Sequence, residues 1–403
     1  MLPRTLAGRL EQHAEAFPAV LLTGPRQSGK TTLARASFPE FLYVNLEDTL
    51  EREEARDDPP GFLRRLEGAP GAILDEVQRV PELFSALQVW LDERDRAPLV
   101  LTGSHQLLMG QGVSQSLAGR VSILELLPLS VAELGGRPGR EPEQLDTLEP
   151  RLSPLGHELD QLLFRGLYPR LHDRDLPAAA WLDAYVRTYV ERDVRTLRSI
   201  GDLDTFGRFL RLCAGRSGQL LNYSALASDA GVSQPTAKQW VSLLRASYLV
   251  DVVQPHHERL SKRLVRTPKL YFTDTGVLCS LLGVREAGHL RSHPLRGAVF
   301  ETFVMSELRK VFTHRGERAP LYFWRDRQGH EVDAVVELGH RRVAVEAKAG
   351  VGVPTDAFRG LAYYRALTAK RAPDVNLSTV LVYGGDVDRG RGEHVVRPWW
   401  GVS

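Results

Sequence analysis

Residues 19–32 read AVLLTGPRQSGKTT: an apolar run breaks into Gly24, four residues intervene, and Gly29-Lys30-Thr31 follows. This is the G-x-x-x-x-G-K-[ST] spacing of a phosphate-binding loop, which a strand must enter and a helix must leave. Val20, Leu21 and Leu22 supply the strand, and TTLAR at 31–35 opens a helix whose positive N-terminal end faces the anion. Gly24, Pro25, Arg26, Gln27, Ser28, Gly29, Lys30, Thr31 and Thr32 are therefore expected to wrap ATP. Lys30 reaches the β- and γ-phosphates and the Thr31 hydroxyl holds Mg²⁺.

A loop of this kind requires an apolar strand downstream that ends in acid. Residues 71–76, GAILDE, meet the requirement, with Asp75 placed to orient the metal and Glu76 to polarise the attacking water. The next strand, PLVLTGS at 98–104, ends in Thr102 and Ser104, which are either sensors of the γ-phosphate or ordinary strand-end turn residues. Arg120 closes SLAGR at 116–120, ahead of the strand VSILEL at 121–126. It is either a solvated helix end or an arginine offered to the site of a neighbouring subunit.

These stretches resemble the prokaryotic AAA+ ATPases that carry a C-terminal domain of unknown function. The resemblance rests on the phosphate loop, AILDEVQ, LTGSHQLL and SLAGR, and continues through RGLYPRL (165–171), YVRTYVERDV (185–194) and KLYFTDTGVL (269–278). It implies ATP hydrolysis by an oligomer, often acting on DNA.

Bulk properties agree. A chain of 403 residues has room for two to four domains, and a net charge of +2 leaves any nucleic-acid contact to local patches. With no long apolar run and no basic-then-apolar leader, neither a membrane span nor a signal peptide is expected, and the expected location is cytoplasmic. Cys213 and Cys279 are too few for a disulfide framework or a zinc cluster.

Residues 135–154 are rich in Gly, Pro and charge and read as a linker. Residues 157–200 read as helices, with Trp181, Leu182, Tyr185, Val186, Tyr189 and Val190 on one apolar stripe, and fit a helical lid from which Arg165 or Arg170 contacts nucleotide. Residues 224–233 and the helix after Ser233 read as helix-turn-helix, with Gly231 at the bend. Gln234, Thr236, Lys238 and Gln239 then face a DNA groove, and Lys262 and Arg263, with Arg259 and Arg266, lie on a basic wing between strands 249–253 and 269–272. The competing reading is a packing module.

In the last hundred residues, Glu301 sits in a helical stretch, Asp333 in the strand EVDAVV, and Glu346 and Lys348 on one face of VAVEAK. The spacing resembles the PD-(D/E)XK nuclease core. Glu301, Asp333 and Glu346 would hold a divalent metal there, and Lys348 would activate water.

The expected architecture is α/β: an AAA+ core over 1–136, linker and helical lid over 137–200, a winged helix over 201–285, and a PD-(D/E)XK-like domain over 286–403. The expected function is a Mg²⁺- and ATP-dependent DNA motor working as a homo-oligomer, a ring or hexamer. The alternatives are a nucleotide-controlled switch that assembles with a protein partner, and an ATP-regulated nuclease.

Overall fold

The computed structural model describes residues 2–92, 98–104, 117–148, 158–188, 202–256 and 265–403. Helix α1 (Ala7–Ala16) leads into β1 (Ala19–Thr23), the phosphate loop, and α2 (Lys30–Ser37). There follow β2 (Leu42–Asn45), α3 (Thr49–Asp57), α4 (Pro59–Arg65), β3 (Ala72–Asp75), α5 (Leu83–Asp92), β4 (Leu99–Gly103) and β5 (Val121–Glu125). The five strands pair in parallel in the order β2-β3-β4-β1-β5.

β1 is buried along its whole length because both faces of the sheet are covered. Successive side chains point to opposite faces, so Val20 and Leu22 join a core with Leu10 and Leu33, while Ala19 and Leu21 join one with Phe62, Phe84 and Leu87. All carboxyl ends lie on one edge, which brings the phosphate loop, Asp75 and Thr102 together.

After the sheet come α6 (Val131–Leu134), α7 (Leu159–Arg165), α8 (Pro169–Asp173) and α9 (Ala178–Thr188). The middle unit is α10 (Leu203–Ala214), β6 (Gln219–Leu220), α11 (Tyr223–Ala230), α12 (Gln234–Ala246), β7 (Val250–Val253) and β8 (Lys269–Phe272), its strands ordered β6-β8-β7. Local signals set the turn between α11 and α12. Asn222 caps α11, Gly231 ends it at φ 72°, Ser233 accepts from the Thr236 amide, and Pro235 fills the first turn. Trp240 locks α12 onto α10, edge-on to Phe206 and Phe209 with ring centroids 5.1 Å apart.

Helices α13 (Thr275–Leu281), α14 (Ala287–Ser292) and α15 (Arg296–Thr313) precede a six-stranded sheet. Its elements are β9 (Leu321–Arg325), β10 (Glu331–Leu338), β11 (Arg341–Lys348), α16 (Arg359–Arg371), β12 (Asn376–Tyr383), β13 (Arg389–Arg391) and β14 (His394–Pro398), with strand order β13-β14-β12-β11-β10-β9. β9, β10 and β11 run antiparallel, and α16 crosses over so that β12 joins β11 in parallel. α16 packs one face through Leu361 and Tyr364, and α15 belongs to the core on the other.

That second core is continuous. It runs from Leu129 through Leu163, Phe209 and Leu244 to Phe303 and Val345, so the segments after the first sheet share one interior. Charged side chains complete the junction: buried Glu307 accepts from the Val131 amide at 2.8 Å, and buried Lys310 donates to Leu129 O at 2.9 Å. Arg309 bridges Glu125 and Asp251.

The described part of the expected linker, 135–148, is tied into the fold. Arg140 is wholly buried and donates to Gly401 O at 2.6 Å, Arg137 bonds Trp400 O, and Asp146 pairs with Arg341. Its Gly, Pro and charge content looked like a solvated spacer because these partners lie some two hundred residues or more away along the chain.

Candidate nucleotide site and acidic cluster

Glycine is required where the chain turns out of β1. Gly24 has φ 145°, and a Cβ there would lie 2.1 Å from Leu126 O. Gly29, at φ 94°, turns the loop into α2. Arg4 supports the arch from outside, donating to Ser28 O at 2.7 Å and Leu127 O at 2.6 Å.

Lys30 is buried, and its ammonium donates to Gly24 O at 3.1 Å and Pro25 O at 2.9 Å. Burial pushes its pKa down to about 8, against the pull of Glu76 and Asp75. A cation held by its own loop carbonyls in a desolvated place is poised to exchange them for phosphate oxygens.

Asp75 accepts from three side chains on three elements. Thr31 Oγ1 donates at 2.9 and 3.0 Å, Tyr43 Oη at 2.9 Å, and Thr102 Oγ1 also bonds it. Glu76 follows in the left-handed region at φ 58°, a conformation a non-glycine residue adopts at a cost and one that turns its carboxylate away from the strand. Gln78 Nε2 donates to that carboxylate at 2.6 Å, Ser104 Oγ lies 3.4 Å away, and Thr102 accepts from its amide.

Between these groups lies a cavity of about 840 Å³. Arg26, Gln27, Gly29, Lys30, Thr31 and Thr32 line it with Asp75 and Glu76, whereas Gly24, Pro25 and Ser28 stand behind the lining. It is also lined by Pro169, Arg170 and Asp173 of α8, by Arg174 just past the end of that helix, and by Tyr185 of α9. Of the two arginines singled out in this segment, Arg170 reaches the cavity, and Arg165 instead donates to Leu171 O. Tyr189 and Val190 lie outside the described residues.

The residues fit Mg²⁺ at the phosphate end. A hydroxyl and a carboxylate within hydrogen-bond distance are what magnesium takes from a protein when phosphates and water supply the remaining ligands. Arg120 does not line the cavity. It pairs at the surface with Asp92, Nη2 to Oδ2 at 2.8 Å; residues 118–120 form a turn, and the part of the expected helix before 117 lies outside the described residues.

Gln234, Lys238 and Gln239 are exposed on α12. Thr236 is engaged in the helix cap, its hydroxyl 2.7 Å from Ser233 Oγ. Arg259, Lys262 and Arg263 lie outside the described residues, and Arg266 is exposed.

In the C-terminal unit, Glu301 of α15, Asp333 of β10, and Glu346 and Lys348 of β11 lie in one cluster. Asp333 Oδ2 accepts the Ala347 amide at 2.9 Å, and Lys348 Nζ lies 2.7 Å from Glu346 Oε1. Burial and then Asp333 push Glu301 up to about 7 and Glu346 up to about 8, and burial also raises Asp333. Among the described residues no group of three His, Cys, Asp or Glu side chains is arranged to hold a metal ion. The cation among them is Lys269 of β8, its ammonium 2.8 Å from Glu301 Oε1 and also paired with Glu331, while Tyr271 Oη donates to Glu301 at 2.6 Å.

Sequence patterns missed Arg4, Tyr43, Arg174, Lys269 and Tyr271. The one available signal was that Lys269 and Tyr271 sit in a strand with Leu270 and Phe272, where a buried lysine needs an acid.

Residues 16–135 match the AAA domain family, and 156–288 and 296–400 match two domains of unknown function, DUF8612 and DUF4143. With the phosphate loop, Asp75 and Glu76 around one cavity, the chain is an ATPase of the AAA type. It is 35% identical over 354 residues to the uncharacterized protein Rv2008c of Mycobacterium tuberculosis, covering 86% of this chain and 73% of that one, with the same figures for Mb2031c of Mycobacterium bovis. The chain belongs to the family of these mycobacterial proteins.

Among solved structures, the Walker-type ATPase paby2304 of Pyrococcus abyssi aligns over 70% of this chain and 96% of its own, at 16% identity and a TM-score of 0.42. A signal-transduction ATPase with a tetratricopeptide repeat sensor, PH0952 of Pyrococcus horikoshii, aligns over 75% and 48%, at 11% identity and a TM-score of 0.23. Among the described residues no helix is long and apolar enough to cross a membrane.

Proposed function

We propose that this ATPase hydrolyses MgATP to drive work on DNA held by its middle unit, acting as a homo-oligomer. The observation that carries the reading is the cavity lined by Lys30, Thr31, Asp75 and Glu76 together with Arg170 and Arg174. Lys30 exchanges the Gly24 and Pro25 carbonyls for β- and γ-phosphate oxygens. Thr31 and Asp75 would hold Mg²⁺, which would supply charge neutralisation on the phosphates. Glu76 polarises the attacking water, with Ser104 at 3.4 Å bearing on its orientation. Arg170 and Arg174 reach the nucleotide from the lid side, so a change of phosphate charge moves α8. Arg120 completes the site of a neighbouring copy on leaving Asp92.

The middle unit is read as a winged helix. α12 offers Gln234, Lys238 and Gln239, residue types that bond base edges and phosphates. The C-terminal unit is read as PD-(D/E)XK-like, on the order α15-β9-β10-β11-α16-β12 and the convergence of Glu301, Asp333, Glu346 and Lys348.

The test is steady-state ATP hydrolysis with Mg²⁺, with and without single-stranded, duplex and four-way-junction DNA, beside Lys30→Ala and a Lys238→Ala/Gln239→Ala pair. A rate raised by one DNA form, lost in the first variant and unresponsive to DNA in the second, supports the reading. A rate indifferent to every DNA form overturns it in favour of a nucleotide-controlled switch with a protein partner. The shared core, the Lys310 bond to Leu129 beside the cavity and the Arg309 pair with Glu125 of the ATPase sheet favour that second reading, since they tie the C-terminal unit to the nucleotide side with no DNA involved.

A further inference from the structure

The acidic cluster of the C-terminal sheet has the outline of a metal-dependent nuclease centre and the wrong charge inside it. A divalent cation needs carboxylate oxygens with free lone pairs converging at about 2.0–2.6 Å. Here one oxygen of each acid is already engaged, Glu301 Oε1 by Lys269 and Tyr271, Glu346 Oε1 by Lys348 and Asp333 Oδ2 by the Ala347 amide, so a metal would have to displace an ammonium from Glu301 and from Glu346. Four carboxylates, Glu301, Glu331, Asp333 and Glu346, stand against three cations, Lys269, Lys348 and Arg325, one charge short of balance. Glu346 Oε2 is buried with no hydrogen-bond partner, an acceptor left over once the lysines are placed.

Lys269 is not a surface lysine that drifted in. It is 2% exposed and ion-paired with both Glu301 and Glu331. Its ammonium also lies 5.5 Å from the ring centroid of Phe323 and 5.8 Å from that of Tyr271.

We propose that the Lys269 ammonium is the resident cation of this cluster and excludes a divalent metal from it, so that the C-terminal unit in this state is not a metal-loaded nuclease. The inference rests on the PD-(D/E)XK-like reading of that unit for what the cluster would otherwise bind.

The plug comes from another part of the chain and is anchored to the nucleotide side. β8 carries Lys269 and Tyr271 and runs on to Asp274, whose carboxylate accepts the Leu167 amide at 2.7 Å and caps α13 through the Val277 amide. Gly166 is packed so tightly there that a Cβ on it would lie 2.3 Å from Asp274 Oδ1. Two residues past Leu167, α8 begins the wall of the ATP cavity. Lys269 and the arginines facing ATP are thus joined by one strand and one carboxylate.

The experiment is Mn²⁺ binding to the full chain without nucleotide, read by electron paramagnetic resonance, in wild type, Asp333→Asn, Lys269→Met and Lys269→Met/Asp333→Asn. The expected result is that wild type and Asp333→Asn titrate alike, that Lys269→Met gains one site binding at least tenfold tighter, and that the double variant loses it. A wild-type site removed by Asp333→Asn overturns the proposal and leaves the nuclease-like reading standing. A folded Lys269→Met that gains no site overturns it as well. Should Lys269→Met fail to fold, Lys269→Gln replaces it, and the wild-type comparison with Asp333→Asn decides independently. If Lys269→Met binds Mn²⁺ at Asp333 and cuts none of the DNA forms above, the plug stands and cutting is removed from the domain's functions.

Discussion

The Tyr43 hydroxyl lies 2.9 Å from Asp75 Oδ2, the oxygen that also accepts from Thr31 at 3.0 Å. A residue of the edge strand β2 therefore sets the orientation of the carboxylate that, with Thr31, would hold Mg²⁺. Arg35 stacks over the Tyr43 ring at 4.7 Å and holds the phenol in place.

Tyr43→Phe removes that hydroxyl and leaves the ring. A hydrogen bond to a charged group contributes about 1.5–3 kcal/mol, so kcat should fall roughly tenfold or more and half-saturation by Mg²⁺ should move upward. Thermal stability should change little. The check is ATPase rate against Mg²⁺ concentration beside a melting curve; unchanged Mg²⁺ dependence would show that Tyr43 only packs.

Glu76→Gln keeps the side-chain shape and removes the base. Hydrolysis should drop by about 10²–10⁴, the usual contribution of a positioned base, while binding of a fluorescent ATP analogue stays within about threefold of wild type. A variant that loses binding and turnover together would assign Glu76 to the nucleotide pocket rather than to the water.

Lys310→Met breaks a buried pair, since Lys310 Nζ and Glu307 Oε1 lie 2.8 Å apart with both side chains almost fully enclosed. Removing one partner of such a pair costs about 3–5 kcal/mol, because the other is left as an uncompensated buried charge. Urea unfolding should show the loss, and adding Glu307→Gln should recover part of it.

His314 and Glu133 give the fold a pH dependence. His314 is buried, and burial outweighs the pull of Glu133 to hold its pKa below 6.5. Burial opposes charge on Glu133 too, but His314 and Arg4 hold its carboxyl well below 4.5. In both cases the unfolded chain takes up a proton that the folded one refuses, so stability falls as pH drops below 6.5 and again below 4.5. The slope is at most about 1.4 kcal/mol per pH unit for each group. His314→Gln should flatten the upper part of that decline, measured as urea midpoints between pH 7.5 and 5.5; an unchanged slope there would rule His314 out as its source.

The phosphate loop, the Asp75-Glu76 strand end, the turn at Gly231 and the strands carrying Asp333 and Glu346 were all readable in the chain, because each depends on residues within a turn or a strand of one another. Spacing, periodicity and capping act locally, and the fold preserves them. Folding alone brought Tyr43 to Asp75, Arg4 to Ser28, Arg140 to Gly401 and Lys269 to Glu301. Those partners are separated by 24 to 261 residues, and what selects them is the desolvation of a charge that must find its counter-charge or its carbonyl inside a shared core. The same reason changed the meaning of the acidic cluster: four residues in nuclease spacing implied a metal, and a lysine from a distant strand had already supplied the positive charge.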